Sequence, residues 1–158
     1  MGVKVTGLKE TGEMIYRLDT NTRRRVVREL FRKATQIQQL AIKMAPRDYG
    51  GLEQAIKVRP ESMGRERNAL GQFAKTEVEV YIDMDAPGLD PNRGEVKVGD
   101  YAYEVHEHVT PAGSHQLGPQ SVQKQGGQVE QVGGGFMDRA VAAVDKEIDA
   151  VLQEMLNL

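Results

Sequence analysis

This chain of 158 residues is long enough to bury one hydrophobic core, and its charge limits what it can bind. Its 21 Lys and Arg are balanced by 23 Asp and Glu, and the net charge of −2 excludes a generally basic nucleic-acid-binding protein. Cysteine is absent, which excludes disulfides and thiol chemistry, and no apolar run approaches the roughly 18 residues of a membrane span. We therefore expect a single soluble domain over residues 1–158, with no membrane partner.

A long amphipathic helix is the clearest element of the N-terminal half. The N-cap residues Asp19-Thr20-Asn21-Thr22 precede it, and Pro46 ends it because a proline pushes the preceding residue out of the helical region. Between them one apolar stripe recurs every three or four positions, formed by Val27, Leu30, Ala34, Ile37, Ala41 and Met44. A weaker helical pattern over residues 7–18 is interrupted by Gly12.

A short helical turn and a strand are predicted after this proline. Asp48 is expected to cap the turn that carries Leu52, and alternation over residues 56–59 then predicts a strand. Residues 61–75 are polar and punctuated by glycine, which predicts a loop.

The clearest strand pattern covers residues 77–84. Its apolar face carries Val78, Val80, Ile82 and Met84, and its polar face carries Glu77, Glu79, Tyr81 and Asp83. Such alternation predicts a half-buried strand with one solvated face. Val96 and Val98 predict a further short strand.

The C-terminal half predicts a helical turn, an arm and a last helix. Residues 101–109 fit either a helix face or strand alternation, and we favour the helix. Residues 110–135 are rich in Gly and Gln and predict a long extended loop or arm, in which Gly133-Gly134-Gly135 would act as a hinge. Residues 136–155 predict a helix whose apolar side holds Phe136, Ala140, Val144, Ile148, Val151 and Leu152. The order predicts an α+β fold, with a small antiparallel sheet packed against the long helix and the C-terminal helix.

The two long helices carry opposite charge. Residues 23–47 hold Arg23, Arg24, Arg25, Arg28, Arg32, Lys33, Lys43 and Arg47 against only Glu29. From residue 138 onward there are Asp138, Asp145, Glu147, Asp149 and Glu154 against Arg139 and Lys146. A basic early helix and an acidic last helix indicate complementary surfaces, within one subunit or between subunits.

The sequence contains no complete catalytic or metal-binding pattern. Glu104, His106, Glu107 and His108 lie close together, with His115 nearby, but the spacing typical of zinc sites is missing. We interpret these histidines as polar residues at the surface or at a subunit contact. Ser62, Ser114 and Ser121 are the only serines, and none lies in a G-x-S-x-G turn. We expect no enzymatic activity, no metal and no cofactor.

The basic residues are the candidate interaction site. Those that we expect to face a neighbouring subunit or DNA are Arg24, Arg25, Arg28, Arg32, Lys57, Arg59, Arg65 and Arg67. Interleaved aromatic residues, which would stack on bases, are absent, so any DNA contact would be nonspecific and directed at phosphates.

Three short motifs follow one another along the chain. They are Ala45-Pro46-Arg47-Asp48-Tyr49-Gly50-Gly51-Leu52, then Tyr101-Ala102-Tyr103-Glu104-Val105-His106-Glu107, and finally Gly135-Phe136-Met137-Asp138-Arg139-Ala140. With Gly7-Leu8-Lys9-Glu10 near the start, this order resembles that of the neck and tail-completion family of tailed bacteriophages, whose members are also described as head–tail joining or minor capsid proteins. The matched positions are Pro46, Asp48, Gly50, Leu52, Tyr101, Ala102, His106, Glu107 and Phe136. Tyr49 replaces the family's usual Thr, and Met137 its usual Leu.

The resemblance implies a structural role. Members form homo-oligomeric rings, six- or twelve-fold, in the neck of the virion at the head–tail junction, after assembly in the cytoplasm of the bacterial host. It implies contacts with the connector or head-completion protein on one side and with the tail-tube or terminator protein on the other. DNA would pass through the lumen, where the basic residues could contact it.

Other functions stay open from sequence alone. A tail terminator or another minor capsid protein of the same particle would show the same general features. A small nonspecific DNA-binding protein would use the arginine-rich helix in solution. A zinc-dependent hydrolase built on the histidines is the least favoured reading.

Overall fold

The computed structural model describes residues 2–5, 20–47, 50–60, 78–89, 94–109 and 116–156. Three strands lie in this part of the chain: β1 (Gly2–Val5), β2 (Ile56–Pro60) and β3 (Val78–Ile82). The helices there are α1 (Thr20–Met44), α2 (Gly51–Ala55), α3 (Ala102–His108), α4 (Pro119–Gly126) and α5 (Phe136–Leu156). The predictions for residues 7–18, for the loop over residues 61–75 and for Asp48 as a cap lie outside the described residues.

Helix α1 confirms the long helix that the apolar stripe predicted. Ala34, Ile37 and Ala41 are buried, and Leu30 and Met44 are partly buried against the same core. The helical hydrogen bonds end where Ala45 N–H donates to the Ala41 carbonyl at 2.8 Å, directly before the proline.

The sheet is antiparallel and has the strand order β1-β3-β2. Ile56 pairs with Ile82 and Val58 with Val80, which places the apolar residues of both strands on one face. Helix α1 packs on that face and α5 packs along α1, so a single core cluster joins the sheet and the two long helices. The predicted α+β fold is therefore confirmed.

The polar face of β3 is less solvated than the alternation predicted. Glu79 is only 8% exposed because Arg59 on β2 covers it, with Nε and Nη2 at 3.0 and 2.8 Å from the same carboxylate oxygen. The Arg59 guanidinium also lies 4.6 Å from the centre of the Tyr81 ring. A long cationic side chain from the next strand thus shields a carboxylate that the sequence pattern assigned to solvent.

The strand predicted at Val96 and Val98 is wrong. Lys97 forms only an isolated bridge with Pro87, and Val98–Asp100 is a 3-10 turn. Val98 is nevertheless fully buried, and its N–H donates to the Ala86 carbonyl at 2.9 Å. The alternation therefore predicted the burial of Val98 correctly. This segment packs against the loop that contains Ala86, however, and does not join the sheet.

Helix α3 confirms the helical interpretation of residues 101–109.

The extended arm predicted over residues 110–135 is wrong for the part of it that the structure describes. Residues 119–126 form α4, which lies against the C-terminal end of α1. There the Arg47 N–H donates to Ser121 Oγ at 2.8 Å, and Ser121 Oγ donates to the Arg47 carbonyl at 2.7 Å. Helix α4 is held by these hydrogen bonds and therefore needs few apolar residues. Its polar composition consequently looked like that of an unpacked arm.

Helix α5 is antiparallel to α1. Gly133 N–H donates to the Met44 carbonyl at 2.9 Å, and eleven positions earlier on α1 the Lys33 side chain binds Glu147. The Lys33 side chain is only 7% exposed whereas that of Glu147 is 53% exposed, so this ion pair lies at the edge of the contact between the helices. The basic and acidic helices therefore contact each other within one subunit, although only part of their charge is used there.

Candidate functional site

The second and third motifs meet at the end of helix α3. Gly134 N–H donates to the Val109 carbonyl at 2.8 Å, and Gly135 N–H donates to the His106 carbonyl at 2.7 Å. These donors satisfy carbonyl groups that a helix end leaves without intrahelical partners. Helix α3 is thus attached through the backbone to the start of α5.

The predicted glycine hinge is wrong, because this connection is tightly held. A Cβ atom at Gly134 would lie 2.6 Å from the His106 carbonyl oxygen and closer still to that of Val109. Gly133 and Gly135 have φ angles of 147° and 63°, which few side-chain-bearing residues adopt. The three glycines let two backbones approach each other, and their N–H groups all donate hydrogen bonds.

The first motif meets the second at Gly51 and Tyr101. A Cβ atom at Gly51 would lie 2.9 Å from the Tyr101 hydroxyl oxygen and 2.9 Å from the Leu89 nitrogen. Gly50, at the N-cap of α2, has a φ of 85°, and Leu52 is buried in the core. Gly50 and Gly51 are therefore explained by backbone conformation and close packing rather than by a ligand.

His106 is buried, contrary to the prediction of a surface position. It is 4% exposed and packs edge-on against Phe136, with ring centroids 5.0 Å apart. Its Nδ1 lies 3.0 Å from a Glu107 carboxylate oxygen, whereas Nε2 has no hydrogen-bond partner among the described residues and is 3.9 Å from the nearest carboxylate oxygen of Asp138. The matched positions His106 and Phe136 thus join α3 to α5 through their rings.

A buried ionic cluster joins α4 to the end of α1. Lys124 donates to Glu53 and to the Ile42 and Ala45 carbonyls, the last at 2.6 Å. Glu53 also accepts two hydrogen bonds from Arg47, at 2.7 and 3.1 Å. Burial lowers the pKa of Lys124, and the hydrogen bond to Glu53 opposes that shift, while the same carboxylate raises the pKa of Arg47. The cluster fixes the first motif relative to the rest of the chain.

An open cleft of about 710 Å³ lies beside this cluster. Its walls carry both signs of charge and several amides, from Gln38, Arg47, Glu53, Gln54, Lys57 and Gln120. The charged side chains in it already pair with one another or with Asp83, so none is left to bind a ligand by charge alone.

Four arginines of α1 form an exposed charged surface, which we call the basic face: Arg24, Arg25, Arg28 and Arg32. Arg32 Nε donates to Glu29 at 2.7 Å within the helix. Arg24, Arg25 and Arg28 are exposed, and none of them forms an ion pair with a residue that the structure describes. Cationic charge is therefore available to a partner along this helix.

The second basic group differs from the first because its described members are paired. Lys57 Nζ lies 2.7 Å from Asp83, and Arg59 binds Glu79. The hydrogen bond from Lys57 lowers the pKa of Asp83. Arg65 and Arg67 lie outside the described residues. Among the described members of this group, the cationic charge is therefore neutralised by carboxylates of the same subunit.

Within the described ranges, no three His, Asp or Glu side chains lie close enough to share a metal ion. His115 falls outside those ranges. Neither of the long helices there has the apolar length that a membrane crossing requires. No family model, curated protein or solved structure matches this chain.

The ionic cluster and the buried carboxylates were not predicted from the sequence. Lys124 and Glu53 lie in separate segments with nothing in common but opposite charge. One signal in the sequence indicated this cluster. Glu53 lies between the apolar residues Leu52 and Ala55, and all three are buried. A buried carboxylate requires a cationic partner.

Proposed function

We propose that this chain is a structural subunit of the virion of a tailed double-stranded DNA bacteriophage, forming an oligomeric ring in the neck at the head–tail junction. The observation that carries the proposal is the convergence of the three motifs on α3. Gly51 packs against Tyr101, His106 against Phe136, and Gly134 and Gly135 bind the end of α3. These are contacts that build a rigid subunit, and the residues that the motifs share serve packing and backbone bonding.

The exposed charge of α1 adds a second line of support. A ring subunit must bind its neighbours, and Arg24, Arg25 and Arg28 are exposed without ion pairs to any described residue. In the proposed role, one end of the ring contacts the connector or head-completion protein and the other contacts the tail-tube or terminator protein. A tail terminator, the related alternative, would form the same kind of ring but would be the protein on the tail side of this contact.

The mass of the native particle tests this proposal. We expect the purified full chain to form closed rings over a range of concentrations, visible by native mass spectrometry and as annular particles in electron micrographs. Purified virions that encode the chain should contain it in a fixed ratio to the portal protein. A chain that stays monomeric at high concentration and is absent from virions would refute a ring function.

A nonspecific DNA-binding protein is the second candidate, and it is favoured by Arg24, Arg25 and Arg28, which are exposed and form no ion pair with a described residue. In that case isolated subunits should shift duplex DNA at low salt, and the shift should weaken steeply as salt rises, because each phosphate contact releases counterions. Absence of any shift at low salt would remove this candidate without affecting the ring proposal.

A further inference from the structure

The basic face of α1 points away from the core. Arg24, Arg28 and Arg32 follow one another at intervals of four residues, and at roughly 100° per residue they spread over about 80° of the helix surface. That sector is opposite Ile37 and Ala41, which are fully buried. These arginines are therefore displayed outward along successive turns.

A row of aspartates lies on α5. Asp138, Asp145 and Asp149 fall within a sector of about 40° on the same helical geometry. The Asp138 side chain is 70% exposed, and Asp145 and Asp149 are exposed without an ion pair to any residue in the described part of the chain. We call these three residues the acidic row.

The acidic row lies on the flank of α5 that is turned away from α1. Glu147 identifies the other flank, because it binds the buried Lys33 of α1 and lies about 160° or more around the helix from Asp145 and Asp149. Charge that serves the contact within the subunit is therefore separate from the acidic row. The basic face and the acidic row point in different directions from one molecule.

Local helix stability explains only part of these charges. Acidic residues at the start of a helix and basic residues at its end are the stabilising arrangement, and Asp138 in the first turn of α5 and Lys43 in the last turn of α1 fit it. The basic face, however, lies in the N-terminal half of α1, where cationic side chains oppose the helix dipole, and Asp145 and Asp149 lie beyond the first turn of α5. These charges therefore gain little from their own helices.

We propose that the basic face of α1 binds the acidic row of α5 on a second copy of this chain. The inference rests on the proposed ring function and names its subunit contact. Unlike surfaces that point in different directions generate head-to-tail contacts, which form a ring when the rotation between neighbouring subunits closes and an open filament when it does not. The lengths also agree, since Arg24 to Arg32 spans about 12 Å and Asp138 to Asp149 about 16 Å at 1.5 Å per residue.

A second copy is a better partner for the basic face than DNA. The complementary acidic row is present on the same chain, and it would repel phosphates wherever the two surfaces approached the same duplex. The contact is electrostatic, so salt should weaken it.

Charge reversal on each side tests the contact. We expect Arg24→Glu/Arg28→Glu and Asp145→Arg/Asp149→Arg each to raise the concentration needed for ring formation by about a hundredfold or more, because like charges then face each other. A mixture of the two variants should form rings again, with the two kinds of subunit alternating. The matched control for the arginine variant is Lys57→Glu/Lys97→Glu, which makes the same change in net charge as that variant on side chains outside the proposed contact and should still form rings.

The outcomes separate this inference from the ring function. Rings that persist in either reversed variant, or variants that fail to assemble when mixed, would overturn the proposed contact and leave the ring function standing. If the arginine variant lost DNA binding but still formed rings, the basic face would be assigned to DNA, and the proposed contact between subunits would be overturned. Far-ultraviolet circular dichroism of each variant should match that of the unmodified chain, because all four residues are exposed.

Discussion

Lys124 and Glu53, 71 residues apart in the chain, form an ion pair in which both side chains are 8% exposed. The lysine also donates to two carbonyls at the end of α1, where a helix leaves acceptors without partners. One side chain therefore connects α4, α2 and the C-terminal end of the longest helix.

Lys124→Met should lower the free energy of unfolding by about 2–4 kcal/mol, because it leaves two helix-end carbonyls and part of a buried carboxylate without their donor. Urea denaturation at pH 7 measures the change. Lys97→Met provides the control, since Lys97 forms its ion pair with Asp85 at the surface, and little change is expected there. Equal stability of the Lys124 variant and the unmodified chain would mean that the cluster is not formed as described.

How far the sequence predicts this fold depends on whether the signal is local. The stripe of α1 and the alternation of β3 were sufficient because helix and strand periods place Ile37 and Val80 on buried faces. The failures have a different cause. Val98 is buried by a loop rather than by a sheet, and Ser121 is buried by polar contacts with the end of α1, so neither follows from periodicity.

The candidate site was predictable only in part. The motif order selected Tyr101, His106 and Phe136, and the structure places all three in or beside the junction of α3 with its neighbours. The motif order could not show that Arg59 is neutralised by Glu79 on β3 and Lys57 by Asp83 directly after it, because strand register decides those pairs.

Gly134→Ala should weaken the junction between α3 and α5. The added methyl group would overlap the Val109 and His106 carbonyl oxygens, so the two backbones must separate and their hydrogen bonds lengthen. We expect a loss of about 1–3 kcal/mol, measured as a shift in the urea midpoint at constant slope. Gly126→Ala is the matched control, because nothing lies within 4 Å of the Cβ position there, and its stability should stay the same or rise by up to about 1 kcal/mol since alanine favours the helix. If the Gly134 variant were as stable as the unmodified chain, the two backbones at this junction would be able to separate without loss of stability.

Acid should destabilise the chain through carboxylates paired with lysines. The hydrogen bond from Lys33 lowers the pKa of Glu147, and that from Lys43 lowers the pKa of Glu130. A lowered pKa in the folded state stabilises folding above the ordinary value of 4.5, and this contribution disappears as pH falls through the folded pKa. Glu147→Gln should therefore lower the melting temperature at pH 7, and its difference from the unmodified chain should shrink below about pH 4.5. Glu154→Gln, at an exposed position of the same helix, should leave the melting temperature almost unchanged at both pH values. A Glu147 difference that is independent of pH would contradict the charge pairing.

His106 offers a test of whether the junction depends on packing or on polar chemistry. Its ring contacts Phe136, but its Nε2 is buried without a hydrogen bond to any residue that the structure describes, and such an atom costs about 1–3 kcal/mol. His106→Leu keeps most of the volume and removes the unpaired nitrogen, so we expect its free energy of unfolding to stay within about 1 kcal/mol of the unmodified value or to rise. His106→Ala should lose about 2–4 kcal/mol, because the same site becomes a cavity beside Phe136. Thermal and urea denaturation of the two variants separate these effects. If leucine were as damaging as alanine, the imidazole itself would be required, and a polar role for His106 in the junction would replace the packing role.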